Sequence, residues 1–343
     1  MNKDMRDKAR ELYNGSCRVC KVCNGVACAG EVPGMGGKGT GDSFIRNVAA
    51  LEEIKLNMRT IHDAKNPTTN IEIFGKNMEL PLFAAPITGT MLNMGGKVSE
   101  REYIEGVVKG CLDSGIYPMV GDTAVDLCLA TNLEVIEEYN GQGIIFIKPW
   151  KNEVVIEKIK MAEKAGAFAV GVDIDAAGLI TLAMNGKPVE PKNLEEIKEL
   201  VNSTKLPFIL KGIMTPDEAE LAVEAGVDAI VVSNHGGRVL DQTPASCEVL
   251  PEIAARVKGK VKILVDGGVR TGVDILKMIA LGADCVLIGR PFITATFAHG
   301  AKGVEEYVNS LKGELKSAMV LTGCNSIENI DNRVCLLYTS DAA

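Results

Sequence analysis

Eight short apolar runs, rich in β-branched residues, recur along this chain from residue 80 onward and alternate with stretches of helical pattern. Runs that are almost continuously apolar indicate strands buried on both faces, as in a parallel sheet whose crossover connections are helices. The predicted strands are 80–85, 116–120, 144–148, 168–173, 207–211, 229–233, 262–266 and 285–289. Helices are predicted between them, for example at 153–165, 193–203, 216–225, 245–257 and 272–281.

Eight strand–helix units over about 240 residues fit a closed (β/α)₈ barrel. A doubly wound sheet is the alternative, but it would usually carry Gly-x-Gly-x-x-Gly after its first strand, and Gly89-Thr90-Met91 does not fit that pattern. We therefore predict an α/β fold, a (β/α)₈ TIM barrel over residues 80–330. A Cys-rich and Gly-rich segment, 1–79, is expected to pack on it, and its glycine-rich stretch 30–41 is interpreted as a loop over the barrel or against a ligand. The pattern loses coherence near the C-terminus, so 331–343 is predicted to be a disordered or artefactual tail.

The sequence "SNHGGR" follows the sixth predicted strand and carries His235 and Arg238. Barrel enzymes place their sites at the C-terminal ends of strands, and glycine lets the backbone approach a ligand closely. A histidine can accept a proton near neutral pH, and an arginine can bind a carboxylate with two parallel hydrogen bonds. His235 is therefore the candidate base and Arg238 the candidate anion-binding residue.

The next two predicted strands end in "DGGVR" and "GRP". Barrels commonly bind phosphate after strands seven and eight, with backbone N–H groups and a helix N-terminus. Arg270 and Arg290 would add charge-assisted hydrogen bonds there. The two motifs together predict a phosphate site.

Two further strand ends carry charged candidates. Lys211 ends the fifth predicted strand after four apolar residues and is expected to face the site. His235 needs an acceptor on its other ring nitrogen, for which Asp173 is the first candidate and Asp175 the second.

With these motifs the chain resembles the FMN-dependent 2-hydroxy acid oxidase and dehydrogenase family, which includes glycolate and lactate oxidases. The resemblance runs from about residue 70 to 330 and is strongest through "ILKGI", "SNHGGR", "DGGVR" and "IGRP". It implies a barrel that binds FMN and oxidises a small 2-hydroxy acid to the 2-oxo acid. His235 would remove a proton while two electrons reach flavin N5, as hydride or through a carbanion.

The resemblance also implies roles for individual residues. Lys211 would face N1 and O2 of the flavin, Asp173 would hold His235, and Arg238 would bind the substrate carboxylate. The residues expected to contact the cofactor are Ala85, Pro86, Thr88, Lys211, Ser233, Asp266, Gly268, Arg270, Gly289 and Arg290.

The substrate pocket departs from the family pattern in three places. The N-terminal stretch "EVPGMGGKG" lacks the family's carboxylate-binding tyrosine, and Lys148 stands near the position of a second tyrosine. "VDIDAAGLI" lacks the second substrate arginine. Lys148 is a candidate substitute cation. These losses leave two alternatives open: a flavin-dependent reductase or isomerase acting on another anionic substrate, or a non-catalytic electron-transfer flavoprotein.

Four of the ten cysteines crowd together as Cys17-x₂-Cys20-x₂-Cys23-x₄-Cys28, outside the family pattern. In a cytosolic chain such spacing indicates metal binding or redox chemistry before structural disulfides. Successive Cys-x₂-Cys steps resemble the loops that wrap iron–sulfur clusters, and zinc or free thiols are the alternatives.

Composition limits the partners. The formal net charge of −8 and the absence of a basic tract argue against a nucleic-acid partner. No apolar run reaches the ~18 residues of a membrane helix, and the N-terminus lacks the apolar core of a signal peptide. We expect a cytoplasmic homo-oligomer whose partners are a small 2-hydroxy acid and an unidentified electron acceptor.

Overall fold

The structure, a computed structural model, describes residue 1 and residues 3–336. Its strands are β1 Lys55–Leu56, β2 Ile71–Ile73, β3 Lys76–Met78, β4 Leu82–Ala84, β5 Tyr117–Val120, β6 Ile144–Ile147, β7 Ala169–Asp173, β8 Phe208–Ile213, β9 Ala229–Val232, β10 Lys262–Val265, β11 Cys285–Ile288 and β12 Cys335–Leu336. Its helices are α1 Lys3–Leu12, α2 Asp42–Glu53, α3 Thr90–Asn93, α4 Glu100–Asp113, α5 Asp126–Glu138, α6 Asn152–Lys164, α7 Ile180–Met184, α8 Leu194–Asn202, α9 Pro216–Ala225, α10 Ser246–Val257, α11 Gly272–Ala280 and α12 Arg290–Thr322.

Strands β4 to β11 form a closed parallel barrel in sequence order, with β11 pairing back onto β4. The prediction of a (β/α)₈ barrel is therefore confirmed, and each predicted strand matches an observed one. The reason is burial: most positions of these strands, and every one in β6, β9 and β11, are buried on both faces of the sheet.

Local signals set the helix ends. Helix α9 begins at Pro216, whose missing N–H costs nothing in the first turn, and ends at Gly226 in the left-handed conformation. Capping boxes at Asn193 and Thr271 begin α8 and α11. Because these ends are fixed locally, the predicted bounds of the five helices named above differ from the observed ones by a single residue at most.

The N-terminal segment packs across the C-terminal mouth of the barrel. The Lys38 amide donates to the Gly237 carbonyl at 2.8 Å, and the Thr40 amide donates to the Asp241 carboxylate at 2.6 Å. A β-carbon on Gly39 would lie 2.5 Å from that carboxylate, so the close approach requires glycine there. The glycine-rich stretch thus covers the loop that carries His235 and Arg238.

The C-terminal expectation needs a correction for residues 331–336. Asn332–Val334 form a 3₁₀ turn, and β12 pairs antiparallel with β1. Val334 and Cys335 are buried, which explains the order of this stretch. The rest of the predicted tail, 337–343, lies outside the described residues.

Candidate active site

One cleft at the C-terminal mouth of the barrel collects nearly all of the predicted site residues. Its lining includes Ala85, Pro86, Thr88, Lys148, Asp173, Lys211, His235, Arg238, Asp266, Gly268, Arg270, Gly289 and Arg290. Ser233 lies beneath it, where its hydroxyl donates to the Asp266 carboxylate at 2.7 Å and accepts the His235 backbone N–H at 3.0 Å. The four N-terminal cysteines line an adjoining cavity instead.

His235 is held by Asp175 rather than by Asp173, which corrects the first-choice prediction. His235 Nδ1 lies 2.9 Å from Asp175 Oδ1. Asp173 is the last residue of β7, whereas Asp175 lies in the 3₁₀ turn that follows and reaches the histidine. A bulge in β8 makes room for this turn: at Gly212, where φ is +109°, a β-carbon would lie 2.6 Å from that of Asp175.

Asp173 instead bridges two buried lysines. Its Oδ2 accepts from Lys148 Nζ at 2.6 Å, and its Oδ1 lies 3.4 Å from Lys211 Nζ. Burial alone would raise the pKa of Asp173, but the two ammonium groups outweigh burial and hold that pKa below its usual range. Asp173 is therefore the counter-ion of the cations at the base of the cleft.

Lys211 stays cationic because carboxylates surround it. Its Nζ lies 3.7 Å from Asp266 Oδ2 and 4.0 Å from Asp175 Oδ2 as well as beside Asp173. Burial would lower the pKa of Lys211, but Asp175, Asp173 and Asp266 together hold it above its usual value. A fixed positive charge therefore lines the cleft at the position predicted from the sequence.

His235 is poised as a neutral imidazole. Burial lowers its pKa, an effect that the Asp175 carboxylate opposes and the Lys211 charge reinforces. Because Nδ1 bonds Asp175, Nε2 is the nitrogen left to accept a proton. The residue has a φ of +56°, an uncommon conformation for a side-chain-bearing residue, and this is consistent with a functional constraint.

Arg238 is half-buried and has no carboxylate partner among the described residues. Its guanidinium donates to the Gly34 carbonyl at 2.6 Å, the Gly36 carbonyl at 3.2 Å and Asn93 Oδ1 at 3.0 Å. Burial and the nearby charge of Arg290 lower its pKa, which means that the isolated charge is costly there. A bound anion would relieve that cost.

Arg270 and Arg290 also lack carboxylate partners within the described chain. Arg290 donates to three backbone carbonyls, including that of Met35 at 2.8 Å, and stacks 3.8 Å from the centre of the Phe44 ring. Arg270 donates to the Cys23 carbonyl at 3.1 Å. Helix α12 begins at Arg290, so its N-terminus adjoins the same wall. Two half-buried cations without counter-ions in the described chain and a helix N-terminus fit the phosphate of a cofactor.

Two polar residues of the site were missed from the sequence. Asp122 lines the cleft and accepts from Trp150 Nε1 at 2.5 Å and from Lys158 Nζ at 2.8 Å. Its position just after a predicted strand was a usable signal. Asn93, which accepts from Arg238, is the last residue of the short helix α3, for which the sequence offered no signal.

The two aspartates are expected to respond differently to removal of their charge. Asp173→Asn leaves Lys148 buried without its counter-ion, so the free energy of unfolding should fall by about 3–5 kcal/mol. Asp175→Asn should slow flavin reduction by ~10²–10⁴-fold with little loss of stability, because His235 loses its orienting acceptor. Denaturant titration and stopped-flow absorbance of both variants test this. Slow reduction with unchanged stability in Asp173→Asn would restore Asp173 as the orienting residue.

A (β/α)₈ barrel with a His–Asp pair, a buried lysine and a phosphate-type site in one cleft defines a class of barrel enzyme that acts with a phosphate-bearing cofactor. The chain belongs to the FMN-dependent dehydrogenase family, whose family model matches residues 34–187 and 180–336. The enzyme is thus an FMN-dependent oxidoreductase, and the resemblance identified from the sequence motifs is confirmed.

Named relatives agree with this assignment. A 2-hydroxyacid oxidase of Dictyostelium discoideum is 33% identical over 326 residues, which cover 85% of this chain and 82% of that protein. An L-lactate oxidase of Lactobacillus jensenii is 32% identical, with 86% of this chain and 78% of that protein covered. A crystal structure of a mandelate oxidase variant superposes with a TM-score of 0.78 at 30% identity, covering 97% of this chain and 96% of that one.

Proposed function

We propose that this enzyme oxidises a small 2-hydroxy acid, of the lactate or glycolate kind, to the corresponding 2-oxo acid. The observation that carries the proposal is the pairing, in one cleft, of His235, which Asp175 holds and whose pKa is lowered, with a half-buried Arg238 that has no carboxylate partner in the described chain. The names of the relatives, a 2-hydroxyacid oxidase and an L-lactate oxidase, support the same substrate class.

Each side chain has a task in this proposal. Arg238 binds the substrate carboxylate through its planar fork of N–H donors, while Nε2 of His235 accepts the proton that leaves the substrate. Asp175 keeps the imidazole in one orientation and stabilises the cation that forms. FMN, when bound, supplies the acceptor for two electrons. Lys211 places a positive charge in the cleft, where it would stabilise negative charge.

The lining of the cleft suits a substrate that carries an apolar group beside its anion. Met35, Leu179 and Leu182 are among the apolar residues of that lining.

Lys148 stands near the position of a tyrosine in the family resemblance, and its ammonium group already pairs with the Asp173 carboxylate. This replacement of a tyrosine by a paired lysine favours the second candidate function, a flavin-dependent reductase or isomerase acting on a different anionic substrate.

Location and assembly complete the proposal. Among the described residues, none of the helices is long and apolar enough to cross a bilayer. We infer a cytoplasmic homo-oligomer, although an Arabidopsis thaliana relative carries the name peroxisomal (S)-2-hydroxyacid oxidase. The electrons then leave the reduced flavin for a separate acceptor molecule.

An anaerobic titration tests the substrate class. Protein loaded with FMN is mixed with glycolate, lactate and mandelate, and with 3-hydroxypropionate as a control that has the same groups in the wrong spacing. One of the 2-hydroxy acids should bleach the flavin absorbance, and the 3-hydroxy acid should not. Reduction by a nicotinamide cofactor, with none by any 2-hydroxy acid, would favour the reductase function instead.

A further inference from the structure

The four N-terminal cysteines line one cavity that adjoins the flavin cleft. Cys17, Cys20, Cys23 and Cys28 are half-buried free thiols around a cavity of about 500 Å³. The cavity and the cleft share Met35, Gly268, Arg270 and Arg290 as common walls. The other six cysteines are buried, and none of them lines either space. These four thiols therefore differ from the other cysteines in their exposure and in the cavity that they line.

The backbone around these thiols is irregular, and one of its amides donates to a cysteine sulfur. Only one 3₁₀ turn, Val26–Cys28, interrupts the irregular stretch 13–41 of the chain. The Val19 amide donates to Cys17 Sγ at 3.4 Å, although a φ of +46° is unfavourable for a β-branched residue. Amide donors aimed at cysteine sulfur are characteristic of loops that hold iron–sulfur clusters. The strained turn is therefore consistent with a loop shaped by what it binds.

The walls of the cavity favour an anionic occupant. The lining residues of the cavity include more cationic side chains than acidic ones. The acidic ones are Glu52 and Asp274, and the cationic ones are Arg6, Arg18, Lys21, Arg270, Lys277 and Arg290. The Arg270 guanidinium lies 3.8 Å from Cys23 Sγ. Four thiolates around a metal centre carry net negative charge, which such walls would stabilise.

The spacing of the sulfur atoms distinguishes between kinds of metal centre. Four thiolates on one zinc ion, each at about 2.3 Å in tetrahedral geometry, lie about 3.8 Å from one another. Within the described residues, only Asp173, Asp175 and His235 form a group of three or more ligand atoms within 4.8 Å of one another. No three of the four thiols are therefore as close as zinc requires. In a four-iron cluster each cysteine binds a different iron, so the sulfurs stand further apart around the cluster.

We propose that Cys17, Cys20, Cys23 and Cys28 ligate a four-iron, four-sulfide cluster in this cavity, beside the phosphate end of the flavin site. The Cys-x₂-Cys-x₂-Cys run supplies three ligands at the spacing of bacterial cluster loops, and Cys28 supplies the fourth. The site does not depend on the proposed substrate. Only its role in electron transfer rests on the proposed function.

That role follows from the electron count. Oxidation of one 2-hydroxy acid to the 2-oxo acid releases two electrons and two protons. A cluster carries one electron at a time, so the two electrons would leave in successive steps to a one-electron carrier protein in solution, which is the oxidant that the scheme requires. Arg270 and Arg290 line both the cleft and the cavity, so the two sites adjoin.

Elemental analysis of the full chain tests the site directly. Protein is purified anaerobically, incubated with ferrous iron, sulfide and a thiol reductant, desalted, and assayed for iron, acid-labile sulfide, zinc and FMN. We expect about four iron and four sulfide per chain, with broad visible absorbance that dithionite bleaches and a low-temperature electron paramagnetic resonance signal in the reduced protein. One zinc per chain without sulfide, or neither metal after incubation, would overturn the proposal.

Paired variants tie the metal to these residues. Cys20→Ser should lose most of the iron and sulfide, whereas Cys247→Ser, at a buried cysteine on α10 outside both cavities, should keep them. FMN content and circular dichroism report whether each variant is folded. If the unaltered protein holds no iron after incubation but a 2-hydroxy acid bleaches its flavin, the cluster is rejected and the proposed function stands. Iron and sulfide in the protein, with no bleaching of the flavin by any 2-hydroxy acid, would support the cluster and reject the proposed function.

Discussion

His235→Ala is expected to slow anaerobic flavin reduction by the 2-hydroxy acid by ~10²–10⁴-fold, the usual cost of a lost general base. FMN should stay bound, because the side chain removed contacts Asp175 rather than the arginines of the phosphate site. Stopped-flow absorbance gives the reduction rate, and the spectrum of the resting protein gives the FMN content. The two readouts together separate loss of chemistry from loss of cofactor.

A matched control is available at His62, an exposed histidine that does not line the cleft and is hydrogen-bonded within its own turn. His62→Ala should reduce its flavin at the rate of the unaltered protein. Unchanged kinetics in His235→Ala would remove this histidine from the mechanism. Another proton acceptor at the cleft would then be required.

The pH dependence of the same reaction follows from the environment of His235. A base must be unprotonated, and burial holds the pKa of His235 below that of a free imidazole. The value of kcat/KM should therefore be level through the neutral range and fall only as the pH drops through this lowered pKa. Asp175 raises the pKa of His235, so Asp175→Asn should move the acidic limb of the profile to lower pH. A limb that moved to higher pH would contradict the assigned contact.

Arg290→Glu is expected to weaken FMN binding by more than 100-fold. Hydrogen bonds to a charged group contribute about 1.5–3 kcal/mol each, so loss of one alone weakens binding by roughly 10–100-fold. A carboxylate beside the phosphate adds repulsion in a buried setting. Fluorescence titration of the apoprotein with FMN measures the change. Arg290→Met, which removes the charge and the N–H donors without adding a negative charge, should give the smaller part of the effect.

Arg256→Glu is the control for the change in net charge. Arg256 lies on α10, is exposed and forms only a surface pair with Glu220, so its reversal should leave FMN affinity unchanged. Equal losses in the two charge reversals would mean that overall charge, not contact with phosphate, determines FMN affinity. Tight FMN binding by Arg290→Glu would place the phosphate elsewhere in the cleft.

Residues at the strand ends were predictable, but their partners were not. Lys211 and Arg238 could be assigned to the cleft because each lies at or just beyond the C-terminal end of a predicted strand, and parallel strands deliver those ends to one face. The choice between Asp173 and Asp175 depended on a bulge at Gly212 and on a 3₁₀ turn, which apolar periodicity does not encode. The prediction of Asp173 as the orienting residue was wrong for that reason.

The cysteine segment shows the same division. Its spacing indicated a metal or redox site, with iron–sulfur, zinc and free thiols all open. The cavity that these cysteines share with Arg270 and Arg290 arises from contacts between the N-terminal segment and the ends of β10 and β11. Contacts so distant in sequence leave no local pattern.

By itself the sequence determined the (β/α)₈ barrel, the face that carries the site and most of the charged side chains that line it, because strand burial and helix capping depend on residues close together in the chain. Only the tertiary structure decided which carboxylate holds His235, that Asp173 serves two lysines, and that the glycine-rich stretch covers Arg238. These arrangements depend on where loops from different strand ends meet. Opposite charges can pair only after the closed barrel has brought those loops together. The physical reason is that the position of a strand depends on residues that are neighbours in sequence, whereas the partner in an ion pair depends on packing in three dimensions.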